Sequence, residues 1–153
     1  RAQVLLARGD RSRAMATART LLAQAADKLR DRPDDQDLLM ISSYSRAILG
    51  EREAALAEHR RAHAIVLARK NLSEAEDIYR ERTRLRALLG DREQALQELS
   101  RQLKLPGSLA SDFRHDLAFF SLWDAPAFLA IVNDPANNVP LPFSPGNSPA
   151  PAK

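Results

Sequence analysis

The chain has 153 residues, of which 44% are hydrophobic and 28% charged, and it contains no cysteine. This length suits one modest hydrophobic core, and the lack of cysteine excludes disulfides and thiolate metal sites but leaves the compartment, cytoplasmic or periplasmic, undetermined. The 23 basic residues nearly balance the 20 acidic ones, so the net charge is no evidence for nucleic-acid binding.

The composition predicts an all-α fold, because alanine, leucine, arginine and glutamate dominate and aromatic residues make up only 5%. No apolar run approaches the roughly 20 residues that a membrane span needs, so we expect no membrane insertion. Residues 1–8 look like the end of a helix and do not start with methionine. We therefore expect a fragment of a longer protein, with any targeting signal upstream.

Apolar residues three and four positions apart predict a series of helices. The first complete one covers about residues 10–30 and stops before Pro33, since proline cannot continue a helix. The next ends at Gly50, because glycine suits the left-handed conformation that terminates many helices. Another helix is predicted for about residues 51–70.

Two further helices follow in the C-terminal half. One starts at Ser73, which forms a capping-box pattern with Glu76. The other covers about residues 91–104 and ends at Pro106 and Gly107.

The C-terminal 46 residues change character. In residues 108–134 the apolar pattern shortens and the phenylalanines concentrate, which predicts a short helix at 125–132 and a cap over the last helix pair. Residues 135–153 hold six of the nine prolines and little apolar mass, so we expect a flexible tail there.

Three of the five glycines recur at spacings of 41 and 40 residues. Each is followed by an acidic residue and an arginine, then by alanine five positions after the glycine. A period of this kind is typical of helical repeat arrays, in which one helix pair stacks on the next. The residues of the repeat are Gly9, Gly50 and Gly90, Ala14, Ala55 and Ala95, and the following Leu56 and Leu96.

This unit resembles the tetratricopeptide (TPR) repeat, in which a glycine-containing turn joins two helices and a small residue opens their contact. The resemblance implies a right-handed stack of antiparallel helix hairpins, a TPR-like α-solenoid of about three pairs in residues 1–107 plus the C-terminal cap. The usual TPR period is about 34 residues, so these helices are expected to be longer than usual.

Residues 113–132 are similar to the ending of TPR-like arrays in bacterial multidomain signalling proteins. The matching residues include Phe113, Asp116, Phe120, Pro126 and Phe128. This resemblance implies that the chain is part of a larger signalling or regulatory protein.

The TPR resemblance also predicts a partner-binding groove. Arg80 and Arg84 share a helix face, and in the TPR register they face the groove, with Met40 and Tyr44 at the same positions one repeat earlier. Such a groove would hold an acidic or carboxylate-bearing peptide through guanidinium contacts. The alternative is a solvated face whose arginines pair with glutamates of the same helix.

No metal, cofactor or catalytic site is predicted. His59 and His63 have a spacing that allows two imidazoles to share a metal, but only Arg60 and Arg61 stand where a metalloprotease has its glutamate. We expect His59 to be half-packed and His63 exposed. The sequence has no glycine-rich phosphate loop and no GxSxG turn, so we predict that this segment is not an enzyme.

The predicted function is a protein-interaction scaffold that binds a partner peptide or a second copy of itself. Two alternatives stay open. Nucleic-acid binding is suggested by the 19 arginines among the 23 basic residues, although interspersed acidic residues disfavour it. A small-ligand sensor is the other, with Tyr44 and Arg84 as a stacking and anion-binding pair.

Overall fold

A computed structural model describes residues 2–70, 72–105 and 108–138, with the side chains of 72–76 and 138 left out. The described residues form helices and no strand, so the predicted all-α fold is confirmed. The α-helices are α1 (Ala2–Ala7), α2 (Arg11–Asp31), α3 (Gln36–Leu49), α4 (Arg52–Ala68), α5 (Leu72–Leu88), α6 (Arg92–Gln102), α7 (Ser111–Arg114) and α8 (Pro126–Asn133), and Leu117–Leu122 and Pro135–Asn138 form 3-10 helices.

Aspartate side chains start two of the long helices. Asp10 Oδ1 accepts a hydrogen bond from the Arg13 backbone N–H at 3.1 Å, and Asp35 Oδ1 accepts one from Leu38 at 3.1 Å. These bonds satisfy backbone donors that the first helical turn leaves without a partner. α5 begins at Leu72, one residue before the predicted start at Ser73, and the Ser73 and Glu76 side chains of the predicted capping box are not described. α6 ends at Gln102, before the end predicted at residues 106–107, which lie outside the described residues.

The three repeat glycines adopt the same left-handed conformation. Their φ angles are +78° at Gly9, +82° at Gly50 and +80° at Gly90. In each turn the residue after glycine donates its N–H to the carbonyl five residues earlier at 2.9 Å, and the glycine N–H donates to the carbonyl three residues earlier. This is the Schellman pair of bonds, which satisfies the last carbonyls of a helix. The helices α1, α3 and α5 therefore end in the same way.

The alanines that follow these turns are fully buried. Ala14, Ala55 and Ala95 lie in the first turn of α2, α4 and α6, each with no exposed surface. At the second of these alanines, Ala55, the Ser43 hydroxyl of α3 donates a hydrogen bond to the Ala55 carbonyl of α4 at 2.9 Å. Such a bond requires the two helix backbones to approach closely, and only a small side chain leaves room for that.

The leucines next to these alanines pack into different clusters. Leu56 contacts a cluster of Ala47, Ala55 and Leu85 between α3, α4 and α5. Leu96 packs against the largest cluster, between α6 and the C-terminal segment. Each leucine thus joins its own pair to an element that follows in the chain.

Consecutive helices pack on one another from α1 to α6, and α3 also contacts α5. The same ion pairs occur twice, 40 residues apart in the chain. Arg46 contacts Glu51 at 2.6 Å and Glu58 at 3.8 Å. One repeat later, Arg86 contacts Asp91 at 3.5 Å and Glu98 at 3.0 Å. The same charged positions therefore join the two helices of both pairs.

The C-terminal segment, residues 108–138, builds the largest hydrophobic cluster with α6. Phe113, Phe119 and Phe128 are almost completely buried, with ring centroids 5.9 Å apart in the first pair and 5.7 Å in the second. The 3-10 helix Leu117–Leu122 contacts α5 and also α1. This segment therefore covers the last helix pair and reaches back to the first helix.

Helical structure continues past residue 134, where the sequence predicted the tail to begin. Asp134 Oδ1 accepts from the Ala136 N–H at 2.9 Å, and the Asn137 carbonyl accepts from the Ala110 N–H at 3.2 Å. These bonds attach Pro135–Asn138 to the segment before it. The rest of the predicted tail, residues 139–153, lies outside the described residues.

Within the described ranges no helix is both long and apolar enough to span a bilayer.

The left-handed turn gives a test of the repeat geometry. A Cβ at Gly50 meets no atom within 4 Å, so Gly50→Ala brings backbone strain without a clash. We expect a loss of about 1 to 2 kcal/mol in the free energy of unfolding, measured by urea denaturation. Gly50→Asn is the matched control and should lose less, because asparagine tolerates this conformation. An alanine variant as stable as the original chain would contradict the assigned turn.

Candidate functional site

An open cavity of about 440 Å³ lies between α1, α3 and α5. Its walls are mostly apolar and come from the first helix of each pair, with one leucine from α2. Two of the wall residues are partly open to solvent, Leu21 at 36% and Ile41 at 41% exposure. The apolar walls are Ala2, Leu21, Met40, Ile41 and Ile48.

The structure brings three of the four predicted groove residues to this cavity. Met40, Tyr44 and Arg84 line it, whereas Arg80 does not. Arg80 lies one turn before Arg84 on α5, and its guanidinium is 3.3 Å from the carboxylate of Asp77 on the same helix. Arg80 thus follows the alternative interpretation of a face with intrahelical pairs.

The polar end of the cavity is a chain of four side chains. Tyr44 Oη donates to Glu81 Oε2 at 2.5 Å, and Arg84 Nη1 donates to Glu81 Oε1 at 2.5 Å. The Arg84 Nε donates to Asp116 Oδ2 at 2.5 Å, and Asp116 also caps the following 3-10 helix through the Ala118 N–H. The Arg84 guanidinium is therefore already held by two carboxylates.

Burial and charge set the protonation of this chain. Burial, reinforced by the Glu81 carboxylate, raises the pKa of Tyr44 well above 10, so the phenol stays a neutral donor. Burial alone would lower the pKa of Arg84, but Glu81 and Asp116 hold it above its ordinary value. Two carboxylates and one guanidinium leave this end of the cavity with one excess negative charge.

Glu81 and Asp116 are site residues that the sequence did not reveal. Glu81 pairs with Arg84 of the same helix, as the alternative interpretation of intrahelical pairs predicts, but its contact with Tyr44 of α3 has no local signal. Asp116 lies 32 residues from Arg84, and no local pattern places these residues together. Only the path of the C-terminal segment across α5 creates their contact.

A smaller cavity of about 200 Å³ adjoins the first one, and both share Met40 and Glu81 as walls. It lies towards the N-terminal ends of α3 and α5, where Asp37 and Asp77 line it. Together the two cavities form what we call the groove. Four carboxylates and one guanidinium line the groove, namely those of Asp37, Asp77, Glu81, Asp116 and Arg84.

Two more arginines of α5, Arg82 and Arg86, face α6 instead of the groove. Arg82 and Arg86 both contact Glu98, at 3.2 Å and 3.0 Å. The Arg82 guanidinium also lies 5.0 Å from the ring centroid of Tyr79. Arg82 and Arg86 therefore hold α5 and α6 together, whereas Arg84 lines the groove.

The two histidines of α4 serve packing. His59 is only 3% exposed, in contrast to the expected half-packing, because its Nε2 lies 3.2 Å from the Ile78 carbonyl oxygen of α5. His63, expected to be exposed, is half-buried, with its ring centroid 4.9 Å from that of Tyr79. In the described part of the chain no group of three potential metal ligands occurs.

A double-mutant cycle tests the ion pair that joins α5 to the C-terminal segment. Arg84→Met and Asp116→Asn should show a coupling free energy of about 2 kcal/mol in urea denaturation, because both groups are largely shielded from water. Asparagine keeps the cap acceptor while removing the charge. The exposed pair Asp27 and Arg30 is the control, and Asp27→Asn with Arg30→Met should show coupling near zero. Equal coupling in both cycles would refute the role given to Arg84.

The burial of His59 predicts a pH dependence of stability. Burial lowers the pKa of His59 from 6.5 to about 4, so between these values the unfolded chain binds more protons. The free energy of unfolding should therefore fall as pH drops through this window, by a total on the order of 3 kcal/mol. His59→Gln should flatten this slope in urea denaturation at a series of pH values, while the exposed His115→Gln should not. An unchanged slope in His59→Gln would show that other groups cause it.

Comparisons with known protein families, curated proteins and solved structures give no match for this chain. The internal repeat and the geometry of the groove are therefore the basis for the functional proposal.

Proposed function

We propose that the chain is a TPR-like scaffold that binds an extended segment of a partner protein in the groove. In this proposal the helix pairs form a right-handed stack of antiparallel hairpins. The identical turns at Gly9, Gly50 and Gly90 support a repeating unit. The packing of each helix on the next supports the order of the stack.

The observation that carries the proposal is the open apolar cavity between the first helices of the pairs. Its volume of about 440 Å³ and the half-exposed Leu21 and Ile41 offer a place for an apolar side chain. Grooves that bind peptides use such pockets for anchor residues. A single buried anchor supplies affinity, and the open mouth lets the rest of the segment continue along the groove.

The groove favours a peptide over the two alternatives. Nucleic acid would meet four carboxylates and one guanidinium there, and phosphates require the opposite balance. A small anionic ligand would need a free guanidinium, but Arg84 already has two carboxylate partners. An apolar peptide anchor needs neither an excess of positive charge nor a free guanidinium.

The similarity of residues 113–132 to the ends of bacterial TPR-like arrays extends the proposal. In that setting the chain serves as the partner-binding part of a larger signalling or regulatory protein. Self-association is the form this function takes when the partner segment comes from a second copy.

Selection from a phage-displayed library of random 12-residue peptides tests the proposal. The purified chain should enrich peptides with a shared large apolar residue, because that residue fills the cavity. Leu21→Arg and Ile41→Arg should each abolish enrichment, since they place a charged side chain in the apolar wall.

The matched controls are Leu67→Arg and Leu129→Arg, which replace leucines of 49% and 41% exposure outside the cavity lining. Both should keep the enrichment, and circular dichroism should show that all four variants stay folded. If nothing is enriched, or if enrichment survives Ile41→Arg, the groove is not the binding site.

A further inference from the structure

We propose that the groove selects a basic segment, in which a lysine or arginine lies about two positions from the apolar anchor. This inference rests on the proposed function and assigns the chemistry of the partner. It replaces the acidic partner expected from Arg80 and Arg84.

The charge of the groove is opposite to that of the chain. The whole chain has a formal net charge of +3, yet the charged side chains that line the groove are four carboxylates and one guanidinium. The negative groove is therefore a local arrangement and does not follow from composition. Potentials of opposite sign across an interface steer association and suppress the wrong partners.

The guanidinium that lines the groove, that of Arg84, is not free for an acidic partner, and the neighbouring Arg80 is paired with Asp77. Arg84 donates to Glu81 and to Asp116, both at 2.5 Å. Asp116 takes the place that a carboxylate of a bound peptide would occupy, and it comes from the chain's own C-terminal segment. A peptide carboxylate at this point would face two fixed carboxylates.

The carboxylates are concentrated at one end of the groove. Asp37 and Asp77 stand 40 residues apart, at the same position of successive repeats, and both line the smaller cavity. Asp37 is exposed, and none of the described residues forms an ion pair or hydrogen bond with its side chain. Asp37 lies in the first turn of α3, where its carboxylate also serves the helix dipole. Asp77 lies in the second turn of α5 and is 66% exposed, and its ion pair with Arg80 at 3.3 Å leaves carboxylate surface open to a ligand.

The spacing between the charged end and the apolar cavity sets the spacing in the ligand. Asp37 precedes Ile41 by one helical turn, a rise of about 6 Å at 1.5 Å per residue. An extended peptide covers about 3.3 Å per residue, so this distance corresponds to about two residues. A cationic side chain two positions from the anchor therefore reaches Asp37 and Asp77 while the anchor lies against Met40 and Ile41.

An array of synthetic peptides tests the inference directly. Acetylated nine-residue peptides carry a central leucine in a Gly-Ser background and one variable residue two positions away, which is Lys, Arg, Gln or Glu. At low salt the purified, fluorescently labelled chain should bind the Lys and Arg peptides more tightly than the Gln peptide, and the Gln peptide more tightly than the Glu peptide. Each step should change the apparent affinity by about 3- to 5-fold, as expected for partly exposed ion pairs, and the differences should shrink in high salt.

Two variants assign the effect to the groove. Asp37→Asn and Asp77→Asn should each reduce the preference for Lys over Gln by about 3-fold and leave binding of the Gln peptide unchanged. The matched control is Asp124→Asn, an exposed carboxylate of the C-terminal segment that lies outside the groove lining.

The outcomes separate this inference from the function on which it rests. If the leucine peptides bind through Ile41 but without regard to charge, or prefer Glu, the basic-segment inference is overturned while the scaffold proposal stands. If no leucine peptide binds, the proposed function itself is contradicted, and the basic-segment inference falls with it. A preference for Lys that survives both groove variants overturns the assignment to Asp37 and Asp77.

Discussion

The close approach of two helices at a left-handed turn is the constraint on which the rest of this structure depends. At Gly50 the backbone reverses with φ +82°, and α4 then passes α3 so closely that Ser43 bonds to the carbonyl of Ala55. A side chain larger than alanine at this contact would separate the helices. The same turn recurs at Gly9 and Gly90, and the apolar cavity lies between α1, α3 and α5, the three helices that these turns end.

Within this frame, the C-terminal segment decides the chemistry of the groove. It brings Asp116 to Arg84, which already contacts Glu81, so the guanidinium predicted to bind an anion is held by two carboxylates of the chain itself. Tyr44 completes the chain from the other side. The fixed ion pairs occupy the Arg84 guanidinium, so carboxylates dominate the charge of the groove lining among the described residues.

The sequence predicted local features well and long-range contacts poorly. The helices and the glycine turns follow from rules that involve only a few neighbouring residues, such as the positive φ at Gly50 and the cap formed by Asp35. Arg80 and Arg84 lie one turn apart on α5, and only the way α5 crosses α3 decides that Arg84 lines the large cavity and Arg80 does not. Asp116 was beyond prediction, because its contact depends on the packing of three phenylalanines that carry residues 111–122 back over α5.

The contact of Leu117–Leu122 with both α1 and α5 has a consequence for cooperativity. In an open array each unit touches only its neighbours, so the ends fray independently and units are added or lost without effect on distant ones. Here Leu117–Leu122 touches both α1 and α5, so its contacts connect helices that are far apart in the sequence. Loss of α1 would therefore uncover surface of the C-terminal segment, and these two parts of the chain are expected to unfold together.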